Sequence, residues 1–304
     1  MRALIVGAVE GTQVAIRTIA ASAGWSVCGL MTLAPDKSER HSDFVDLGPD
    51  AERLGAEIIY ASNGNSEDAC RAVEELAPDY TFIIGWSQIC GPEFRAAAKG
   101  NVIGYHPAAL PRLRGRAALP WTILLDEKIT ASTLFWIDDG VDSGDILAQK
   151  FFHVAPRENA ATLYQKHMLA LQAILHLALP ALRVGDKIRQ AQDLECATYA
   201  TKRVPADGRI DWHGRASEID RLIRAVGRPY PGAFTHFKDG RIMIYASEIR
   251  HEAGLHALPG QIVARQDGKF SVMCGDGMIL DIGDYESPAD GALPPLHTVL
   301  GRPA

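Results

Sequence analysis

One histidine in this chain is held by its neighbours in an unusual way. The stretch Gly104-Tyr105-His106-Pro107-Ala108-Ala109-Leu110-Pro111-Arg112-Leu113-Arg114-Gly115 follows a short apolar run and carries no helix or strand period of its own. Pro107 and Pro111 restrict the backbone, so an imidazole at 106 is aimed with little entropy left to lose. A second stretch, Asp138-Asp139-Gly140-Val141-Asp142-Ser143-Gly144-Asp145, packs four carboxylates into eight residues between two strand-like runs. An imidazole beside a carboxylate is a proton-transfer pair, because the acid orients the ring and stabilises its charged form. Separately, a histidine at a strand end also fits a structural role, and an acidic turn also fits a solvated hairpin. Together, at strand ends in one half of one sheet, they make His106 and Asp142 the candidate reacting pair.

The elements around them must bring those strand ends together. The first 150 residues alternate apolar strand-length runs (2–6, 26–32, 57–60, 80–84, 102–105) with helical periods (11–23, from 50, 66–76), which predicts an α/β domain with a parallel sheet. Two further strands, 130–137 and 145–152, flank the acidic turn, a helix is expected over 116–125, and a long amphipathic helix over 158–179. Residues 185–204 are polar and read as a linker. From 205 onward, one helix (217–226) and five short strands separated by Gly/Asp turns predict a small β-barrel. The expected organisation is therefore a domain over 1–184, a linker over 185–204 and a barrel domain over 205–304.

Bulk properties exclude several classes. The 304 residues are 47% hydrophobic, with 31 Lys and Arg against 37 Asp and Glu, so the chain folds and its net charge of −6 disfavours nonspecific polyphosphate binding. Five scattered cysteines without a CxxC pair give neither a disulfide frame nor a thiolate metal site, and no metal is expected. No signal-peptide pattern and no membrane-length apolar run is read, so the expectation is a soluble cytoplasmic protein without membrane partners. Gly7-Ala8-Val9-Glu10-Gly11 follows the first strand but lacks the third glycine of a dinucleotide fingerprint, while the loop Val9, Glu10, Gly11, Thr12 stays open as a polar-ligand border at a helix start.

The motifs taken jointly resemble the formyltransferases that use 10-formyltetrahydrofolate. The similarity rests on His106 at a strand end, Leu110-Pro111-Arg112-Leu113-Arg114-Gly115, and Val141-Asp142-Ser143-Gly144, with Asp142 falling 36 positions after His106. Arg209-Ile210-Asp211-Trp212, Pro229-Tyr230-Pro231-Gly232-Ala233 and Pro259-Gly260-Gln261-Ile262 extend it into the second half. The resemblance implies a Rossmann-like domain followed by an OB-like barrel, 10-formyltetrahydrofolate as co-substrate, and His106 and Asp142 as catalytic residues. It implies that Trp86, Ser87, Gln88 and Ile89, with Asp138, Asp139, Gly140 and Val141, hold the pterin. One departure stands out: Gly104 occupies the position of the family's asparagine, whose amide donates to the oxyanion. Tyr105, Asn101, Ser132 or a backbone amide could replace it.

The acceptor amine follows from finer likenesses. The segments 114–121 and 224–234 are similar to sugar-nucleotide N-formyltransferases, which implies a nucleotide-linked aminodeoxy sugar destined for a surface glycan. Arg112, Arg114 and Arg116 are then candidates for its diphosphate, or a solvated loop, with Tyr105 beside the acceptor. Residues 205–304 carry 11 Lys and Arg against 13 Asp and Glu, so nucleic acid is not expected; a stripe of Arg215, Arg221, Arg224 and Arg228 keeps tRNA as the alternative. Hydroxyornithine, or a folate- or nucleotide-binding protein with impaired chemistry, remain open, as does a homodimer.

Overall fold

The computed structural model describes residues 1–40, 43–238, 240–287 and 294–301; Asp239, in one of the expected turns, lies outside them. The chain divides into two compact units, one of Met1–Ala118, Ile129–His153 and Tyr164–Thr201, the other of Leu119–Lys128, Val154–Leu163 and Lys202–Ala304.

The first unit is built on seven strands: β1 (Arg2–Val6), β2 (Ser26–Thr32), β3 (Glu57–Tyr60), β4 (Tyr80–Ile83), β5 (Val102–His106), β7 (Ile129–Trp136) and β8 (Ile146–His153), in the order β3-β2-β1-β4-β5-β7-β8. β1 to β5 pair in parallel, and β7 and β8 add an antiparallel hairpin at one edge. The short β6 (Arg114–Gly115) pairs in parallel with β9 (Tyr199–Ala200). The central strands are apolar on both faces because helices cover both. On one face α1 (Glu10–Ala20) and α6 (Ala160–Arg183) bury Ile16, Leu171 and Ile174 against Ile5, Phe82, Ile103 and Leu134. On the other, α3 (Glu67–Leu76) and the short α4 (Pro92–Ala97) bury Val73 and Phe94 against Leu4, Ile83 and Val102. α2 (Gly48–Leu54) ends on Gly55 in the left-handed conformation, the usual glycine helix stop. The capping hydroxyl of Ser66 accepts from the Ala69 amide at 3.3 Å and starts α3.

Two sequence expectations change here. Residues 185–201 do not bridge units: Trp136 donates to the Ile188 carbonyl (2.8 Å), Gln190 pairs with Ile146, and β9 closes the run, all within the first unit. The run is polar because it is a surface strap, and polar composition alone does not separate a strap from a linker. The expected helix over 116–125 is the shorter α5 (Ala118–Leu124), most of which belongs to the second unit.

In the second unit, α7 (Ala216–Val226) buries Ile219, Ile223 and Val226. The strands β10 (Ala233–Phe237), β11 (Gly240–Arg250), β12 (Ile262–Gln266), β13 (Lys269–Met273) and β14 (Ile279–Glu286) form an antiparallel sheet in the order β10-β11-β14-β13-β12. Among the described residues the outer strands β10 and β12 do not pair with each other, so the sheet has two edges.

Candidate active site

His106 ends β5, next to β4 and one strand from the point where the order reverses between β1 and β4. Open α/β sheets bind ligands at the carboxyl ends of strands beside such a point. The ring is buried, and neither nitrogen is idle. Nε2 lies 2.7 Å from the Leu113 carbonyl, which can only accept, so Nε2 carries hydrogen. Nδ1 faces Asp142 Oδ2 at 3.5 Å, within ion-pair range but long for a hydrogen bond. The same carboxylate oxygen accepts from the Gly115 amide at 2.7 Å. The structure thus brings together the two residues singled out for chemistry.

Both partners of the ring are held in unusual backbone. Leu113 (φ 56°) and Asp142 (φ 50°) are non-glycine residues in the left-handed region, which costs about 1–3 kcal/mol each and persists only where the surroundings enforce it. The surroundings are visible. Thr133 donates to the Ala108 carbonyl (2.7 Å), Gln149 donates to the Leu110 carbonyl (3.0 Å), and the Leu113 amide donates to Thr198 Oγ1 (2.9 Å). Gly115 has φ 104°, and a Cβ there would lie 2.5 Å from the Ala200 carbonyl oxygen, so only glycine lets β6 meet β9.

The two segments expected to hold the pterin are each fastened by their own contacts. The loop after β4 is fastened by Gln88, whose amide donates to the Ser62 carbonyl (2.7 Å) and accepts from the Gly64 amide (3.0 Å). Trp86 packs partly against the core, and Ile89 is 70% exposed. In the acidic turn Asp138 accepts from the Gly140 amide (3.0 Å) and Ser143 (2.8 Å), Asp139 pairs with Arg95 of α4, and Val141 is 46% exposed. The Arg95–Asp139 pair ties the acidic turn to α4, and two apolar side chains, Ile89 and Val141, stand open to solvent.

Several expected substrate contacts are corrected. Tyr105 neighbours His106 in a strand, so it points to the opposite face. Its hydroxyl meets Ser132 Oγ (3.0 Å), Ser132 meets His167 Nδ1 (2.9 Å), and burial pushes the phenol above its ordinary range. Neither Tyr105 nor Ser132 can therefore replace the missing amide. Asn101 lies at the other end of β5, bonded to Asp79 and Lys187. Arg114 is 2% exposed, its guanidinium bonded to Gln192 Oε1 (2.7 and 3.1 Å) and Tyr199 Oη (3.2 Å), so it is closed to a diphosphate. Arg112 and Arg116 are exposed. Val9, Gly11 and Thr12 are buried; the Thr12 hydroxyl donates to Ile84 (2.7 Å) and accepts from the Val9 amide (3.2 Å). Only Glu10 of that loop presents a side chain outward.

At Gly104 the departure has a structural counterpart. A Cβ would lie 2.7 Å from the Phe135 ring and 3.2 Å from Ile137. An aromatic ring fills the space a side chain at 104 would need.

All five cysteines have thiols pushed above their ordinary range, Cys90 and Cys274 to about 12 by burial, so none is a ready thiolate. Among the described residues no group of three or more His, Cys, Asp or Glu side chains could hold a metal ion, and no helix is long and apolar enough to cross a membrane.

A mostly parallel sheet with an imidazole–carboxylate pair at its carboxyl edge has the geometry that acid–base group transfer requires. Residues 31–179 match the formyl transferase family model, and residues 202–289 match that of the formyl transferase C-terminal domain. The chain belongs to the formyltransferase family. Its fold is similar to that of an N-formyltransferase from Helicobacter canadensis solved with folinic acid and dTDP-3-aminofucose (TM-score 0.70, 17% identity, 93% of this chain and 99% of that one). It is also similar to a variant of HypX from Aquifex aeolicus (TM-score 0.66, 19% identity, 95% of this chain and 46% of that one), so the chain spans about half the length of HypX. Phosphoribosylglycinamide formyltransferase from Bacillus halodurans matches with TM-score 0.52 and 21% identity, over 60% of this chain and 95% of that one.

Three features went unseen in the sequence. Gln192, Thr198 and Gln149 support the site from 39 to 85 residues away along the chain, and no local pattern marks them.

Proposed function

We propose that this chain moves the formyl group of 10-formyltetrahydrofolate to the primary amine of a nucleotide-linked aminodeoxy sugar, as a cytoplasmic enzyme making a surface-glycan precursor. The observation that carries the reading is the His106–Asp142 pair at the sheet's carboxyl edge in a chain of this family. The neutral amine attacks the formyl carbon, the bond from that carbon to the folate nitrogen breaks, and the proton lost by the amine passes to the leaving nitrogen. His106 exchanges the Leu113 carbonyl for the formyl oxygen, so its Nε2 hydrogen meets the developing negative charge. Asp142 keeps the ring aimed and stabilises it as charge shifts. The backbone of 86–89 and 138–141 serves the pterin edge, and Ile89 and Val141 its flat faces.

The reading includes an OB-like barrel around the second unit's sheet. A small acceptor is supported by where the arginine stripe goes. Arg224 bonds Asp220 (2.8 Å), Arg221 pairs with Asp126 (3.4 Å), and Arg228 pairs with Asp284 (2.9 Å) and Glu286 (3.0 Å). Those charges are neutralised within the molecule, which weakens a tRNA track. The Helicobacter canadensis neighbour, solved with dTDP-3-aminofucose, supports the sugar-nucleotide choice.

Phe135 over Gly104 favours a second reading, a folate- or nucleotide-binding protein with impaired chemistry, because losing one oxyanion donor costs about 2.7–4 kcal/mol of transition-state stabilisation. The test incubates the protein with 10-formyltetrahydrofolate and a panel of amines: dTDP-linked amino sugars, hydroxyornithine and charged initiator tRNA. Formylated amino sugar is expected. Formylated tRNA alone overturns the acceptor, and folate binding without turnover on any amine favours the second reading.

A further inference from the structure

We propose that Gln192 is a positioning residue that sets the His106–Asp142 geometry, a role resting on the reading of that pair as the reacting one. Its side-chain amide is nearly buried and makes four hydrogen bonds. Nε2 donates to the Asp142 carbonyl (2.9 Å) and the Gly144 carbonyl (2.7 Å), while Oε1 accepts from Arg114 Nε (3.1 Å) and Nη2 (2.7 Å). The two sides it joins are those that hold the pair. Arg114 lies between Leu113, whose carbonyl takes the His106 Nε2 hydrogen, and Gly115, whose amide holds the Asp142 carboxylate. Three consecutive residues therefore fix the imidazole, the strap and the acid in turn.

The chemistry of the join selects the residue type. A guanidinium only donates and a peptide carbonyl only accepts, so the piece between them must accept on one side and donate on the other. A primary amide does both; glutamate serves only the arginine and lysine only the carbonyls. Gln192 is itself held at a fixed height along the sheet. Lys187 reaches Asn101 at the amino end of β5 (2.7 Å), Gln190 exchanges backbone hydrogen bonds with Ile146 (2.8 and 3.0 Å), and the Thr198 amide donates to the Pro111 carbonyl (3.2 Å). Loosening Gln192 frees the Asp142 turn and Arg114 together, and the 3.5 Å gap between ring and acid is no longer set.

The experiment compares wild type, Gln192→Ala and Gln192→Glu. Steady-state rates are taken with 10-formyltetrahydrofolate varied at saturating dTDP-3-aminofucose. The 15N signature of His106, assigned with His106→Ala, is read above the pH of its titration, and thermal melting is followed alongside. In Gln192→Ala we expect kcat to fall at least tenfold, KM for the folate to stay within twofold, and the ring to change from one tautomer to a mixture. In Gln192→Glu the arginine half survives, so the single tautomer is kept while kcat still falls. An unchanged ring in Gln192→Ala, or a kcat loss matched by an equal KM rise and a lowered melting point, overturns the proposal. If Gln192→Ala does not fold, wild-type kcat in Gln192→Glu overturns it and a fall with the tautomer kept supports it. Absence of turnover in wild type sinks the formyl-transfer reading alone, because the ring signature still reports on Gln192.

Discussion

Two histidines of the first unit lie near each other and differ in every respect that matters for chemistry. His106 has an acceptor at each ring nitrogen and ends a strand at the sheet's carboxyl edge. His167, on α6 behind the sheet, is 0% exposed, touches Ser132 through Nδ1 and the Phe152 ring edge-on, and its Nε2 has no hydrogen-bond partner. Burial, and secondarily the charge of His106, pushes its titration down to about 3. One imidazole is surrounded by groups that respond to its protonation; the other is kept neutral. The comparison teaches that what a buried histidine's second nitrogen meets decides whether the ring is equipped for proton transfer, and β-strand alternation is what separates the two environments here.

The largest expected effect tests that contrast directly. His106→Ala and Asp142→Ala should each cut turnover at least a hundredfold with the fold intact by circular dichroism, whereas His167→Gln should change it less than threefold. A near-wild-type rate in either of the first two removes the mechanism.

Next in size is the space above Gly104. Gly104→Asn should lower stability by about 1–3 kcal/mol in denaturant melts, the usual cost of overpacking, because its Cβ meets the Phe135 ring at 2.7 Å. Phe135→Leu in the same chain should recover part of that loss, and a single variant as stable as wild type would show that the ring is not a barrier.

The rear histidine gives an acid signature. Unfolded histidine takes up a proton near pH 6.5, while folded His167 does so only near 3, so the unfolded state holds more protons between these values. Its contribution to stability is complete above pH 6.5 and is lost as pH falls, reaching about 2 kcal/mol by pH 5. His167→Gln should flatten the stability curve over that range; an unchanged slope would assign the acid sensitivity elsewhere. The smallest effect is expected from Tyr105→Phe, about 1 kcal/mol of stability for the lost hydroxyl contact with Ser132 and a rate within threefold of wild type.

How much of this was legible in the sequence follows from the same geometry. The parallel strands could be read because a strand covered on both faces must be apolar throughout, and the His106–Asp142 pair because it combines a stiff loop, an acidic turn and a motif spacing. Tyr105 was misread because sequence adjacency suggests spatial adjacency, although in a strand it means the opposite face. Arg114 was misread because an arginine in a loop suggests solvent, and nothing nearby announces Gln192, 78 residues on, as its acceptor. The strap was misread for the reason that hides most polar scaffolding: its partners are chosen by topology and not by composition.

That ribbon of β6 against β9 has a practical consequence for anyone dividing the molecule. A shortened protein stopped at the end of α6 would still contain His106, Asp142 and the two hydrophobic clusters of the first unit. It would lack the seam that fastens the loops of that pair. Any stop before Tyr199 therefore removes the β9 strand that β6 pairs with.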